Sequence, residues 1–241
     1  MHVRIHENPE ALTQAVADWL VGYVGEVLQR QERFTLALSG GSTPQALYEL
    51  LAKSHYRERI AWEKVHVFWG DERYVPFSDP RNNARMAFDA LLDHVPIPVG
   101  QIHVMQTNVI PRASATAYEN LLHTYFDATA TTFDLVLLGL GDDGHTLSLF
   151  PGTAVVREEQ AWVKAYYLDA QEMYRLTLTA PVVNRAHCVA FLVTGSKKAG
   201  VLKAVLKGPY QPDVYPSQRI KPGNGNLIWF VDRAAAPAET D

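Results

Sequence analysis

The chain has 241 residues, of which 47% are hydrophobic, 20% charged and 10% aromatic, with a single cysteine and a formal net charge of −4. That length suits one large α/β domain with a substantial core, and an ordinary apolar fraction without charge blocks excludes a disordered chain. Apolar stretches such as Phe133 to Gly141 fall far short of the roughly 20 residues a bilayer requires, and a lone Cys188 excludes an internal disulfide.

Read along the chain, Val3 to Ile5 is a short strand that leads into a helix. Asn8 stands as its N-cap, Pro9 takes the first helical position, and Leu12, Val16, Trp19, Leu20, Tyr23, Val24 and Val27 recur at helical spacing. Phe34 to Leu38 is an apolar strand, and a helix capped by Thr43 begins at Pro44. Val65 to Trp69 is the next strand. Asn82 to Leu92 and Ala113 to Phe126 are expected helices, with a weak strand from Ile102 to Met105 between them. Phe133 to Leu140, Leu176 to Thr179, Val189 to Val193 and Leu227 to Val231 complete the strands, and Lys197 to Leu206 is a helix. Strands apolar on both faces and interleaved with amphipathic helices predict a mostly parallel, Rossmann-like open sheet with helices on both faces. No linker divides the chain, so one domain spanning 1–241 is expected, with a frayed tail from Ala234 to Asp241.

In such a sheet, ligands sit at the carboxyl ends of the strands. Four segments fall there. Ser39-Gly40-Gly41-Ser42-Thr43-Pro44 joins a strand to a helix start, where free N–H groups and hydroxyls suit a phosphate. A Walker loop is excluded because no Lys follows the glycines, and a nucleophile elbow would need Gly at Ala37. Gly139 to His145 formally matches a dinucleotide fingerprint, but Asp142 and Asp143 would oppose a pyrophosphate, and Pro151 cuts short the helix that should follow. What remains is a loop that presents Asp143 beside His145, a carboxylate–imidazole pair suited to general-base work. Gly70-Asp71-Glu72-Arg73-Tyr74 offers Arg73 as an oxyanion stabiliser, against the plainer alternative of a structural ion-pair cluster. Gly195-Ser196-Lys197-Lys198 puts two cations at a helix start, which a bound phosphate would explain. No metal motif is present: the His residues are scattered and there is no Cys pair.

Together these blocks resemble the 6-phosphogluconolactonase family, within the larger group that includes glucosamine-6-phosphate deaminases. The similarity spans nearly the whole chain through LALSGGSTP (36–44), FWGDERYVP (68–76), GLGDDGHTLSLFPG (139–152), YRLTLT (174–179), VTGSKKAG (193–200) and LIWFVDRAA (227–235). The resemblance implies that His145 is the catalytic base, Asp143 its partner and Arg73 the arginine near the lactone. It also implies that Ser39, Gly40, Gly41, Ser42, Thr43, Lys198 and Arg175 hold the substrate phosphate, with Asp71 and Asn83 as further contacts. Asn82 and Ala84 depart from the residues common at those places. Deaminases carry a Glu five residues beyond the loop histidine, where this chain has Phe150, and an apolar ring cannot relay a proton.

The implied activity is hydrolysis of 6-phospho-D-glucono-1,5-lactone without a metal or organic cofactor, by a chain that needs no oligomer, no nucleic acid and no membrane, and that works in the cytoplasm. If the unprotonated His145 is the base, rate should fall below about pH 6.5, the ordinary histidine value. The alternatives are a sugar-phosphate sensor on the same fold, which the intact Asp143 and His145 argue against, and a deaminase or isomerase, which Phe150 argues against.

Overall fold

Four consecutive residues, Leu135 to Leu138, set the layering of the molecule. Leu135 and Leu137 pack into one hydrophobic cluster, Val136 and Leu138 into a second on the opposite side, and all four are fully buried. A strand with no solvent face requires cover on both sides, as the sequence anticipates. The computed structural model describes residues 1–236. Its strands are β1 (His2–His6), β2 (Phe34–Leu38), β3 (Val65–Trp69), β4 (Asp71–Arg73), β5 (Ile102–His103), β6 (Leu135–Gly139), β7 (Val163–Leu168), β8 (Met173–Leu178), β9 (Val189–Val193) and β10 (Leu227–Asp232). Its helices are α1 (Pro9–Leu28), α2 (Ser42–Leu51), α3 (Ser54–Arg57), α4 (Asn83–Ala90), α5 (Pro111–Phe126), α6 (Ala180–Val183) and α7 (Ala199–Lys207).

Seven strands form one parallel sheet in the order β1-β10-β9-β6-β2-β3-β5. Residues of α1, α2 and α4 build the core on one face; those of α5, α6 and α7 build it on the other. From β2 the chain runs outward through β3 to β5, then returns to the other side of β2 as β6 and continues through β9 to β10. The carboxyl ends of β2 and β6 therefore diverge, which opens the crevice where parallel sheets bind ligands.

A strand apolar on both faces does not specify its own register, because a one-residue slip exchanges one greasy face for another. Here a buried polar clamp supplies the register. The Thr35 amide and hydroxyl donate to Asp134 Oδ2 at 2.7 and 2.8 Å, and the Asp134 amide donates back to Thr35 Oγ1 at 2.9 Å. Leu36 is thereby set opposite Leu135. Breaking a satisfied buried group of this kind costs about 1–3 kcal/mol.

Several local expectations need correction. Two strands were not anticipated: β4, a polar three-residue strand, and β7 both pair antiparallel with β8 in a second, three-stranded sheet. Gly70 ties the two sheets together, its N–H donating to Leu38 O at 2.8 Å and its O accepting from Leu178 N at 2.7 Å. The β5 strand ends at His103, leaving Met105 as a buried loop residue. Asn8 caps α1 as expected, accepting from Ala11 N at 2.8 Å, but α2 starts at Ser42 with Gly41 as its N-cap. Thr43 is not a cap; its hydroxyl shares a hydrogen bond with Thr194 Oγ1 at 2.7 Å. At the start of the expected tail, Ala235 is fully buried and its N–H reaches Asp232 Oδ1 at 2.8 Å. Residues 237–241, the rest of that expected tail, lie outside the described part of the chain.

Candidate active site

A pocket of about 280 Å³ lies at the carboxyl ends of the strands. Its walls come from the β2–α2 turn (Ser39 to Pro44), from Asp71, Arg73 and Asn83 beyond β3, from Gly139 to Gly141 and His145 to Leu147 at and after the end of β6, and from Thr194 and Lys198 beyond β9. All four segments singled out in the sequence thus meet in one place. The groove between α2 and α4 is larger, about 560 Å³, but it lies on one helical flank, and its Arg85 and Asp89 neutralise each other at 2.6 Å.

The loop after β6 carries the reactive pair. His145 Nδ1 lies 2.5 Å from Asp143 Oδ1, and the same oxygen accepts the His145 backbone N–H at 3.0 Å. Burial alone would raise the Asp143 carboxyl, but these hydrogen bonds from His145 outweigh it and hold the group below its ordinary value. The carboxylate thus fixes Nδ1 and leaves Nε2 as the ring nitrogen free to act on a bound molecule. The loop backbone is shaped for this. A Cβ at Gly141 would lie 2.0 Å from His145 Nδ1 and 2.7 Å from Asp143 Oδ1, and Gly144 sits at φ +82°. Leu147 holds φ 56° without being glycine, a conformation that costs roughly 1–3 kcal/mol and persists only where its surroundings enforce it. One ring face of His145 stacks on Phe150, with centroids 4.1 Å apart and planes 23° from parallel.

Opposite this pair is an anion cradle. No side chain among the described residues caps α2, so its first N–H groups stay open to a ligand. Lys198, three residues beyond Gly195, reaches the same pocket and in this structure pairs with Asp142 Oδ1 at 2.5 Å. Lys197 is exposed and outside the pocket. Gly195 is held in place by its N–H, which donates to the buried Asp232 carboxylate at 3.0 Å.

The third wall belongs to β4. Arg73 Nη1 donates to Arg81 O at 2.8 Å, which directs a charged guanidinium along the pocket edge. Arg81 itself is tied to Asp79 at 2.8 Å and stays outside. Asn83 Nδ2 donates to Asp71 O at 3.0 Å, and Ser148 Oγ donates to Asp71 Oδ2 at 2.6 Å. Beneath them Glu72, almost wholly buried, accepts the N–H groups of Arg73, Asn83 and Ala84 at 2.7–2.8 Å, and burial pushes its carboxyl up to about 7. Glu72 is therefore structural, joining β4 to the start of α4.

Of the expected site residues, Asp143 and Arg175 do not line the pocket: Asp143 reaches it through its bond to His145, and Arg175 is buried outside the lining. It lies on β8 opposite Arg73, is 5% exposed, donates to Gln171 Oε1, and has its guanidinium carbon 5.5 Å from the centre of the Phe150 ring. Thr194, by contrast, lines the pocket and was not singled out; the only sign in the sequence is its place just after a strand and before Gly195. Among the described residues, no group of three or more His, Cys, Asp and Glu side chains is placed to hold a metal, and no helix is long and apolar enough to cross a membrane.

The sequence profile of the glucosamine-6-phosphate isomerases/6-phosphogluconolactonase family matches residues 7–229. The chain belongs to this family. It is 43% identical to a 6-phosphogluconolactonase of Synechocystis over 95% of this chain and 94% of that one. Its fold superimposes on the crystal structure of 6-phosphogluconolactonase from Thermotoga maritima with a TM-score of 0.84 at 27% identity, over 96% of this chain and 99% of the other. A monomeric glucosamine-6-phosphate deaminase gives a TM-score of 0.83 at 21% identity over 98% of each chain. That last likeness concerns the fold alone, so within the family it is the side chains in the pocket that separate one chemistry from another.

Proposed function

We propose that this family member hydrolyses 6-phospho-D-glucono-1,5-lactone to 6-phosphogluconate, the lactone-opening step of the oxidative pentose phosphate pathway. The observation that carries this reading is a pocket shared by His145, which Asp143 holds at 2.5 Å, and the Lys198/α2 cradle. The cradle takes the phosphate at the remote end of the sugar, so that binding energy orients the ester at the other end. His145 Nε2 removes a proton from water as its oxygen adds to the lactone carbonyl carbon. Arg73 stabilises the negative charge that develops on the carbonyl oxygen. The tetrahedral intermediate then expels the ring oxygen, which takes the proton back from His145 and becomes a hydroxyl, leaving a carboxylate. Every group in this scheme comes from one chain, so a monomer suffices, and none requires a cofactor.

The test generates the lactone in situ and follows its decay, with spontaneous opening subtracted. Wild-type protein should exceed the background, and His145→Asn and Asp143→Asn should each reduce the enzymatic rate by about 10²-fold or more. A His145→Asn protein with the wild-type rate would overturn the assignment of the base. A wild-type protein with no excess rate would overturn the lactonase reading itself and favour a sugar-phosphate sensor.

A further inference from the structure

Arg175 is a buried cation for which no carboxylate lies within ion-pair distance among the described residues, and its Nε has no hydrogen-bond partner. Such a charge is costly, and burial works against it here. Its neighbour on one side is the face of Phe150 at 5.5 Å, and the other neighbour of Phe150 is the His145 imidazole at 4.1 Å. Phe150 is thus the shared neighbour of the guanidinium and the imidazole. This residue is pinned through its backbone: Phe150 O accepts the Thr153 hydroxyl at 2.6 Å, and Pro151 follows it. The preceding turn is pinned as well, with Tyr166 Oη donating to Ser148 O at 2.6 Å.

We infer that Phe150 and Arg175 are positioning residues for His145, the phenyl ring fixing the plane of the imidazole and the buried guanidinium holding the phenyl ring by cation–π attraction. The inference rests on the reading of His145 as the base. A single hydrogen bond from Asp143 fixes Nδ1 but leaves the ring free to turn about that bond. A flat surface against one face removes this freedom, so Nε2 is directed at one point in the pocket. Cation–π and aromatic stacking contacts of this kind hold a ring in one orientation. This accounts for an arginine that the cradle does not use and for an aromatic ring in the catalytic loop.

The test compares kcat and KM for lactone hydrolysis in Phe150→Leu, Phe150→Trp, Arg175→Met and His145→Asn, each with its thermal midpoint. Phe150→Leu should lower kcat about 10-fold while KM stays within about 2-fold, and Phe150→Trp should restore most of that loss, because it again offers a flat ring. Arg175→Met should lower kcat by a similar factor without lowering the thermal midpoint, since it removes an unpaired buried charge while keeping the volume. An inactive His145→Asn together with unchanged kcat in Phe150→Leu and Arg175→Met would overturn this positioning and leave the base standing. Failure of Phe150→Trp to rescue, or losses in kcat that merely follow losses in midpoint, would also overturn it. A fully active His145→Asn would instead remove the reading on which the inference depends.

Discussion

Lys198 already holds a carboxylate, that of Asp142, at 2.5 Å. The Asp142 side chain is 66% exposed and held below its ordinary range by the same lysine, so a phosphate that replaces it gains one charge-assisted contact while releasing another to water. The gain per contact is therefore modest. Lys198→Met should raise the KM for the lactone and the inhibition constant of the product 6-phosphogluconate by about 10- to 100-fold, the equivalent of one hydrogen bond to a charged group. Steady-state kinetics with the product as competitor will show this, and an unchanged inhibition constant would place the phosphate elsewhere. The Lys198–Asp142 pair could not be read from the sequence, because the two residues stand 56 positions apart in loops that meet only through the parallel pairing of β6 with β9.

The element that matters most is the loop from Gly139 to Phe150. Its order of glycines and acids is visible in the sequence, but the reason for Gly141 is not: the constraint is the His145 ring, which occupies the space a side chain at 141 would need. Gly141→Ala should therefore displace the Asp143–His145 pair and lower kcat by about 10²-fold, while the fold, judged by circular dichroism and thermal midpoint, is retained. A variant of normal rate would show that the loop can shift its histidine at no cost. The same reasoning explains which elements the sequence concealed. Strands β2, β6 and β9 are buried on both faces and read as apolar runs, whereas β7 is only partly buried and β4 consists of Asp-Glu-Arg. The polar β4 is a strand because β8 supplies its pairing, a tertiary effect that overrides local propensity. The same pairing sets the place of Arg175, which the family resemblance implied as a phosphate contact: the register puts it opposite Arg73, with its guanidinium against the Phe150 ring.

At the scale of the whole molecule, one buried carboxyl joins the second sheet to a helix and makes stability depend on pH. Burial raises the Glu72 carboxyl from 4.5 to about 7 in the folded chain. Between those values the native state holds a proton that the unfolded chain has lost, so this group's contribution to stability is fully present below pH 4.5 and declines as pH rises toward 7. Denaturant midpoints measured across that window should fall with rising pH more steeply in the wild type than in Glu72→Gln. Parallel profiles would show that Glu72 is ionised throughout. A net charge of −4 is also compatible with an anionic substrate, because Arg73, Lys198 and the start of α2 gather on one side of the sheet.

The clamp between Thr35 and Asp134 lies at the far end of the strands from the pocket, and it acts there as a ruler. Leu36 faces Leu135 because of it, and from that point each strand runs a short, fixed distance to its loop, Ser39 on one side and Gly139 on the other. At about 3.3 Å per residue in parallel strands, any change in that register shifts the anchor for one end of the substrate relative to the base for the other by more than the length of a bond. The spacing between the two is thus built into the backbone of the central sheet and cannot be tuned by side chains in the loops. A descendant of this chain that must accept a longer or shorter sugar phosphate has its room for adjustment on the β4–β8 side, whose walls hang from the second sheet and meet the first through Gly70.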